Sequence, residues 1–190
     1  MIRRILVVLG VIFLVVAAVV ITSWSAAPGD APTDPAGGTT DPVGGGSGPD
    51  DGIPIPPRAE SFEVVDVVDG DTLRLRDDTG ATENVRLVGI DTPEVYPRYE
   101  CFGDEAEDEL RRLAPIGGTV LGAVDEDPFD DYDRLLLYLW TEDGVFVNLA
   151  LVEGGFAEAI RVAPNDAHYD VLLDAEEAAS RAGLGMWGAC

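Results

Sequence analysis

The chain contains no lysine. All 12 of its basic residues are arginines, set against 36 acids, and the formal net charge is −24 over 190 residues. Such a balance lacks the basic footprint by which proteins gather polynucleotides without regard to sequence. It suits a solvated surface or adaptation to high salt. Histidine is nearly absent as well, with His168 alone, and cysteine occurs only at 101 and 190. One histidine and two distant cysteines cannot supply the ligand spacing of a structural zinc site. No glycine-rich phosphate loop ending in Lys-Ser or Lys-Thr is present. His168, read in the first turn of the last helix, is expected to pack or hydrogen-bond.

The chain's one long uncharged run is Ile5 to Ile21, behind Arg3-Arg4. Residues 1–25 therefore read as a signal peptide or an N-terminal membrane anchor. Either keeps the arginines inside and sends the remainder out, to an extracellular location, secreted or tethered to the outer face of the membrane. Residues 26–58 are dominated by Gly, Pro, Asp and Thr and read as a disordered linker without a core. Residues 59–190 suffice for one domain with its own core. In an exported chain Cys101 and Cys190 are either a disulfide or two free thiols.

Within that domain, Phe62 to Val68 is β-branched and ends at Asp-Gly. Thr72 to Arg76 alternates leucine with arginine, and Glu83 to Ile90 forms a third run after the turn Asp77-Asp78-Thr79-Gly80. These predict a three-stranded meander. The spacing of Ala106, Leu110 and Leu113 predicts a helix from Gly103. Strands over Thr119 to Val124 and Arg134 to Trp140 follow, then a short helix from Val147. A last helix is expected, with Asn165 or Asp166 as N-cap and Gly183 at its end. The expected fold is α+β: a five-stranded OB-type Greek-key barrel covered by three helices.

The chemistry concentrates between Val64 and Glu94. Two strand ends carry acid, at Asp69-Gly70-Asp71-Thr72 and at Asp91-Thr92-Pro93-Glu94, and Arg86 lies between them. Adjacent strands can bring Asp71 and Asp91 to one rim as oxygen ligands for Ca²⁺ or a similar hard ion, with Asp69 behind them. Glu94 is placed to deprotonate a water. Arg86 and Arg134 are candidates to clamp a phosphate. Taken singly, each piece has a plainer reading: Asp-Gly-Asp-Thr as a turn, Asp-Thr-Pro-Glu as a helix start, Arg134 in a salt bridge with Asp131 or Asp133.

Together, Val68-Asp69-Gly70-Asp71-Thr72-Leu73, Arg86 to Glu94 and Tyr132-Asp133-Arg134-Leu135 resemble the three signature blocks of the staphylococcal nuclease (thermonuclease) family. Glu100 to Ala106, Val147 to Gly155 and Gly183 to Trp187 resemble its helical segments, so the likeness covers about Phe62 to Trp187. The resemblance implies Ca²⁺-dependent hydrolysis of DNA and RNA, by water attack at phosphorus with release of the 5′-oxygen; no obligate protein partner is evident in the sequence, and a monomer is expected. It implies Asp71 and Asp91 as carboxylate ligands and Thr92 as a backbone-carbonyl ligand. Arg86 and Arg134 would hold the phosphate, and Glu94 would be the general base. The family's nucleotide-packing tyrosines fall near Ile160 and Val162, its usual glycine at Asp133, and a lysine at Asp131. Tyr132 is a candidate to stack on a base. Two other readings accommodate the sequence: a non-catalytic OB module that binds nucleic acid or another ligand at the cell surface, and an acidic Ca²⁺-binding surface protein.

Overall fold

Alternation of small and branched apolar residues with polar ones is what curls the first three strands around a common interior. The computed structural model describes residues 52–190. The basic-apolar segment and nearly all of the Gly/Pro-rich stretch lie outside those residues. Strands β1 (Glu60–Val67), β2 (Thr72–Arg76) and β3 (Thr82–Leu87) form an antiparallel meander. β5 (Thr119–Ala123) and β6 (Leu135–Thr141) close it into a barrel of order β1-β2-β3-β6-β5, with β3 and β6 parallel. Val64, Leu73, Leu75, Val85, Leu87 and Leu139 have no solvent-exposed surface. Each such burial is worth roughly 1.5–3 kcal/mol for a Val or Leu side chain. Closure also removes free strand edges.

The third strand is shorter than its sequence suggests. Gly89, at φ +82, turns the chain after Leu87. Ile90–Asp91 then forms a separate strand, β4, paired with β7 (Glu158–Ala159) as a small ribbon beside the barrel. Asp91 thus leaves the meander, contrary to expectation, and is positioned by pairing with Glu158. The turn is held by Asn148, which is fully buried: its Nδ2 donates to Val88 O at 2.9 Å, and its Oδ1 accepts from Leu139 N at 2.9 Å. A buried side-chain amide satisfied at both ends fixes the turn against β6.

Among the described residues four helices lie on the barrel: α1 (Gly103–Leu113), α2 (Val147–Glu153), α3 (Tyr169–Ala182) and the single turn α4 (Met186–Ala189). Acids in the first turn of α1 and arginines in its last complement the helix dipole. α3 starts later than the capping signal suggests, because Asn165 and Asp166 are engaged elsewhere. Asn165 Oδ1 accepts from Glu126 N and Asp127 N, and Asp166 pairs with Arg161. His168 stands at the N-cap position instead. The apolar stripe of α3 is also narrower than its alanines suggest, since Leu172 and Ala179 are buried while Ala178 and Ala182 are exposed. At the C-terminus Met186 is the buried anchor.

Packing begins before the expected boundary at Ala59. Ile53 and Ile55 lie against the core, and Trp140 Nε1 donates to Ile53 O at 2.9 Å. A disulfide joins Cys101 to Cys190 and ties α4 to the segment before α1. Its separation of 89 residues corresponds to an upper estimate of roughly 4–5 kcal/mol from chain entropy. Among the described residues, no helix is long and apolar enough to cross a membrane.

His168 packs its ring against Tyr138 at 4.5 Å and Phe146 at 5.1 Å between centroids. Burial lowers its proton affinity, Asp125 opposes that shift and Arg58 reinforces it. The unfolded chain therefore binds this proton more readily. Stability should be complete above the ordinary histidine value of about 6.5 and fall as pH drops through the window beneath it. Urea melts across that window should show this decline in the parent protein and a shallower one in His168→Gln.

Candidate active site

The register of β2 and β3 sets Thr72 opposite Arg86, and so brings Asp71 beside the arginine. Leu87 N donates to Asp71 O at 2.8 Å, which fixes this end of the ladder. The Asp71 carboxylate is buried, and all its partners are close. Arg86 Nη2 lies 3.0 Å from Asp71 Oδ2, and Thr92 donates to the same oxygen from both N and Oγ1 at 3.0 Å. Thr72 Oγ1 donates to Oδ1. The same Arg86 nitrogen reaches Asp91 Oδ1 at 2.7 Å, while Nη1 donates to Leu87 O and Ile90 O. One guanidinium thus gathers an interior carboxylate, an exposed one and two carbonyls of the β3–β4 turn.

Gly70 permits this closeness. A Cβ there would stand 2.7 Å from Thr92 Oγ1 and 2.8 Å from the Ala106 methyl. Asp69 folds back to accept Asp71 N at 3.1 Å, as an Asx turn does. Glu94 follows on an exposed loop that its backbone and Glu100 close: Glu100 Oε2 accepts Glu94 N at 3.1 Å, and Glu100 N donates to Glu94 O at 2.8 Å.

The electrostatics show a shortage of positive charge. Burial pushes the Asp71 carboxyl up to about 6; Arg86 opposes this, Asp69 adds to it, and the Thr92 hydrogen bonds offset part of it. Glu94 is also raised, by burial first and then by the charges of Asp69, Asp91 and Glu100, against Arg86. Two carboxylates, Asp71 and Asp91, meet at the one guanidinium of Arg86, and paired carboxylate oxygens suit a hard divalent cation. Asp71 and Asp91 would hold it, with the Thr92 carbonyl adjacent. Among the described residues no group of three or more His, Cys, Asp or Glu side chains is arranged to hold a metal. Such an ion would therefore keep several waters.

Arg134 enters from β6. A cleft of about 210 Å³ is lined by both Arg86 and Arg134, with Asp130, Leu136, Ile160 and Val162 among its walls. Arg134 pairs with Asp130, Nε to Oδ2 at 2.7 Å, and not with Asp131 or Asp133. Asp133 adopts a left-handed conformation, φ 60, that turns the loop back, so that Asp130 Oδ1 also accepts Tyr132 N and Arg134 N. Burial would raise Asp130, but these hydrogen bonds and the Arg134 charge outweigh it and leave its carboxyl below the usual range. The positive φ accounts for a position at which glycine is at ease. Tyr132 is 81% exposed, with the Arg134 guanidinium 5.6 Å from its ring centroid.

The staphylococcal nuclease homologue family matches residues 84–189, more than half of the chain. The chain belongs to that family. It is similar to the thermonuclease of Staphylococcus intermedius, 35% identical over 68% of this chain and 77% of that protein. The thermonuclease of Staphylococcus hyicus is 31% identical over 67% and 76%. Endonuclease YhcR of Bacillus subtilis (strain 168) is 36% identical over 70% of this chain, which spans only 12% of that protein's length. The family match begins within β3 and runs through β5, β6 and the helices to α4. The structure brings Asp69, Asp71, Arg86, Asp91 and Thr92 into one contact network and sets Glu94 in its field, while Arg86 and Arg134 line one cleft.

Sequence reasoning missed Asp130, Glu100 and Asn148. Asp130 sits four residues before Arg134 and could have been suspected as its partner. Glu100 and Asn148 act through backbone groups, which leave no mark in residue spacing. Gly70→Ala should push Thr92 off Asp71 and lower unfolding stability by roughly 1–3 kcal/mol, the range for overpacking. Chemical denaturation checks this, and an unchanged midpoint would show that the approach is not tight.

Proposed function

We propose that this chain is an exported, Ca²⁺-dependent, sugar-non-specific nuclease that hydrolyses phosphodiester bonds of DNA and RNA. The observation that carries the proposal is the sharing of one cleft by Arg86 and Arg134 next to the Asp71–Asp91 pair. Two guanidinium groups converging on a space with no lysine nearby suit a phosphate, whose oxygens each can take in pairs. The family relationship supports the same reaction class.

In this mechanism Arg86 and Arg134 hold the scissile phosphate and stabilise charge as it builds on the equatorial oxygens. Glu94 accepts a proton from the attacking water, and its raised proton affinity makes it a better base than an ordinary exposed carboxylate. The new P–O bond forms as the bond to the 5′-oxygen breaks, and that oxygen takes a proton from solvent. A bound Ca²⁺ would polarise the phosphate and neutralise the carboxylates of Asp71 and Asp91. The apolar wall of Ile160, Val162 and Leu136 offers a base or sugar van der Waals contact without a phenol. Arg134 must be shared between Asp130 and the phosphate, which tempers its affinity.

Export rests on the sequence of residues 1–25, and a tether would be supplied by the same segment. Plasmid DNA and RNA should be degraded with Ca²⁺ and left intact with EGTA. Glu94→Gln and Arg134→Ala should each lower kcat by roughly 10²–10⁴, with unfolding curves confirming that the variants fold. Degradation that persists in EGTA, or full activity of Glu94→Gln, would contradict the proposal.

A further inference from the structure

The loop that follows Glu94 carries an unusual set of side chains for so acidic a domain. From Ala59 onward there are 31 acids against 9 arginines, a net charge of −22. Most arginines are neutralised locally, by Glu63, Asp71 and Asp91, Glu107, Glu109, Asp130, Asp166 and Glu177. Among the described residues, Arg58, Arg74 and Arg98 have no such partner. Arg98 is exposed, and it stands between two exposed tyrosines, Tyr96 at 84% and Tyr99 at 65%. Large aromatic rings turned to water beside an unpaired guanidinium are not explained by packing, and the core does not use them.

The loop is held in place. Glu94 and Glu100 close its base through two hydrogen bonds, Gly103 N donates to Glu100 O at 3.2 Å, and Tyr99 Oη donates to Asp104 Oδ2 at 3.1 Å. The disulfide at Cys101 anchors the next residue to the C-terminus. A short pinned loop that exposes two tyrosines and an arginine within four residues is a preorganised surface, so little freedom is lost when a ligand settles on it.

We propose that Tyr96, Arg98 and Tyr99 form a platform for single-stranded nucleic acid, engaging the nucleotides that flank the phosphate held at Arg86 and Arg134. Bases stack on the tyrosine rings, and Arg98 meets a backbone phosphate or lies over a base. This rests on the nuclease reading for the identity of the strand, and it adds a binding surface outside the cleft. Stacking explains how a domain of this charge keeps hold of a polyanion. Attraction through π-faces is insensitive to net charge, and one unpaired arginine beside the rings offers a local cation where the surface otherwise repels. The platform favours unpaired strands, because bases in a duplex have no free faces.

The test uses the full chain carrying Glu94→Gln, titrated with fluorescein-labelled 12-residue oligothymidylate in Ca²⁺, beside degradation of the same oligonucleotide by the parent protein. Tyr96→Ala should weaken binding roughly 5- to 150-fold, the range for one stacked base, and Tyr96→Phe should restore it, because the ring and not the hydroxyl is used. Arg98→Ala should reduce the slope of log Kd against log salt by about 0.7, one single-strand phosphate contact. The corresponding duplex should bind more weakly and respond less to Tyr96→Ala. Unchanged affinity in Tyr96→Ala and Arg98→Ala, with the parent degrading the oligonucleotide, would overturn the platform and leave the nuclease standing. Loss of affinity in these variants, with no degradation by the parent, would keep the platform and remove the nuclease. Equal losses for duplex and single strand would overturn the stacking account.

Discussion

The pairing of Arg86 with Asp71, nitrogen to oxygen at 3.0 Å beneath the barrel rim, is the constraint on which the site is built. Both side chains are largely withdrawn from water, and a buried ion pair holds only when its remaining hydrogen-bonding capacity is met. Here it is met by Thr72 and Thr92 on the aspartate, and by Leu87, Ile90 and Asp91 on the arginine. Removing either partner would strand the other, a loss on the order of 3–5 kcal/mol. The pair therefore joins stability to the candidate site: the contacts that fold the β3–β4 turn also place the carboxylates and the guanidinium that lines the cleft.

That turn depends in its own way on a small number of residues. Gly89 gives the left-handed bend, Asn148 ties it to β6, and pairing of Ile90–Asp91 with Glu158–Ala159 carries Asp91 round to Arg86. Gly70 leaves room for Thr92 to reach Asp71. The barrel supplies rigidity and the ribbon supplies aim. The same ribbon leads into the segment holding Ile160 and Val162, so the wall of the cleft and the exposed carboxylate are set by one element.

The barrel was legible in the sequence because its strands alternate cleanly, and the meander with its two later strands followed from that period. The acid-and-arginine blocks also exposed Asp71, Arg86, Asp91, Glu94 and Arg134 as a set. What was hidden depends on long-range partners. The break after Leu87 could not be read from a run of apolar residues that continues to Ile90. Asn165 and Asp166 look like helix caps, but their side chains are taken by Glu126, Asp127 and Arg161. Ile53 and Ile55 sit in a stretch whose composition promises no core, yet both pack against it, and Ile53 O accepts the Trp140 indole N–H. Tyr96, Arg98 and Tyr99 gain significance only from their exposure and from the absence of an acidic partner for the arginine.

Net charge and local charge point in opposite directions in this domain. A surface at −22 disfavours a polyanion at long range, and screening by salt or bound divalent ions shortens that repulsion. On the proposed function, capture is local, through guanidinium forks and exposed rings. The most direct measurement is a crystal structure of the Glu94→Gln protein with Ca²⁺ and a short oligodeoxynucleotide. One phosphate contacted by both Arg86 and Arg134 is expected, with the ion on Asp71 and Asp91. A phosphate bound away from both arginines, or an ion that avoids Asp71, would contradict it.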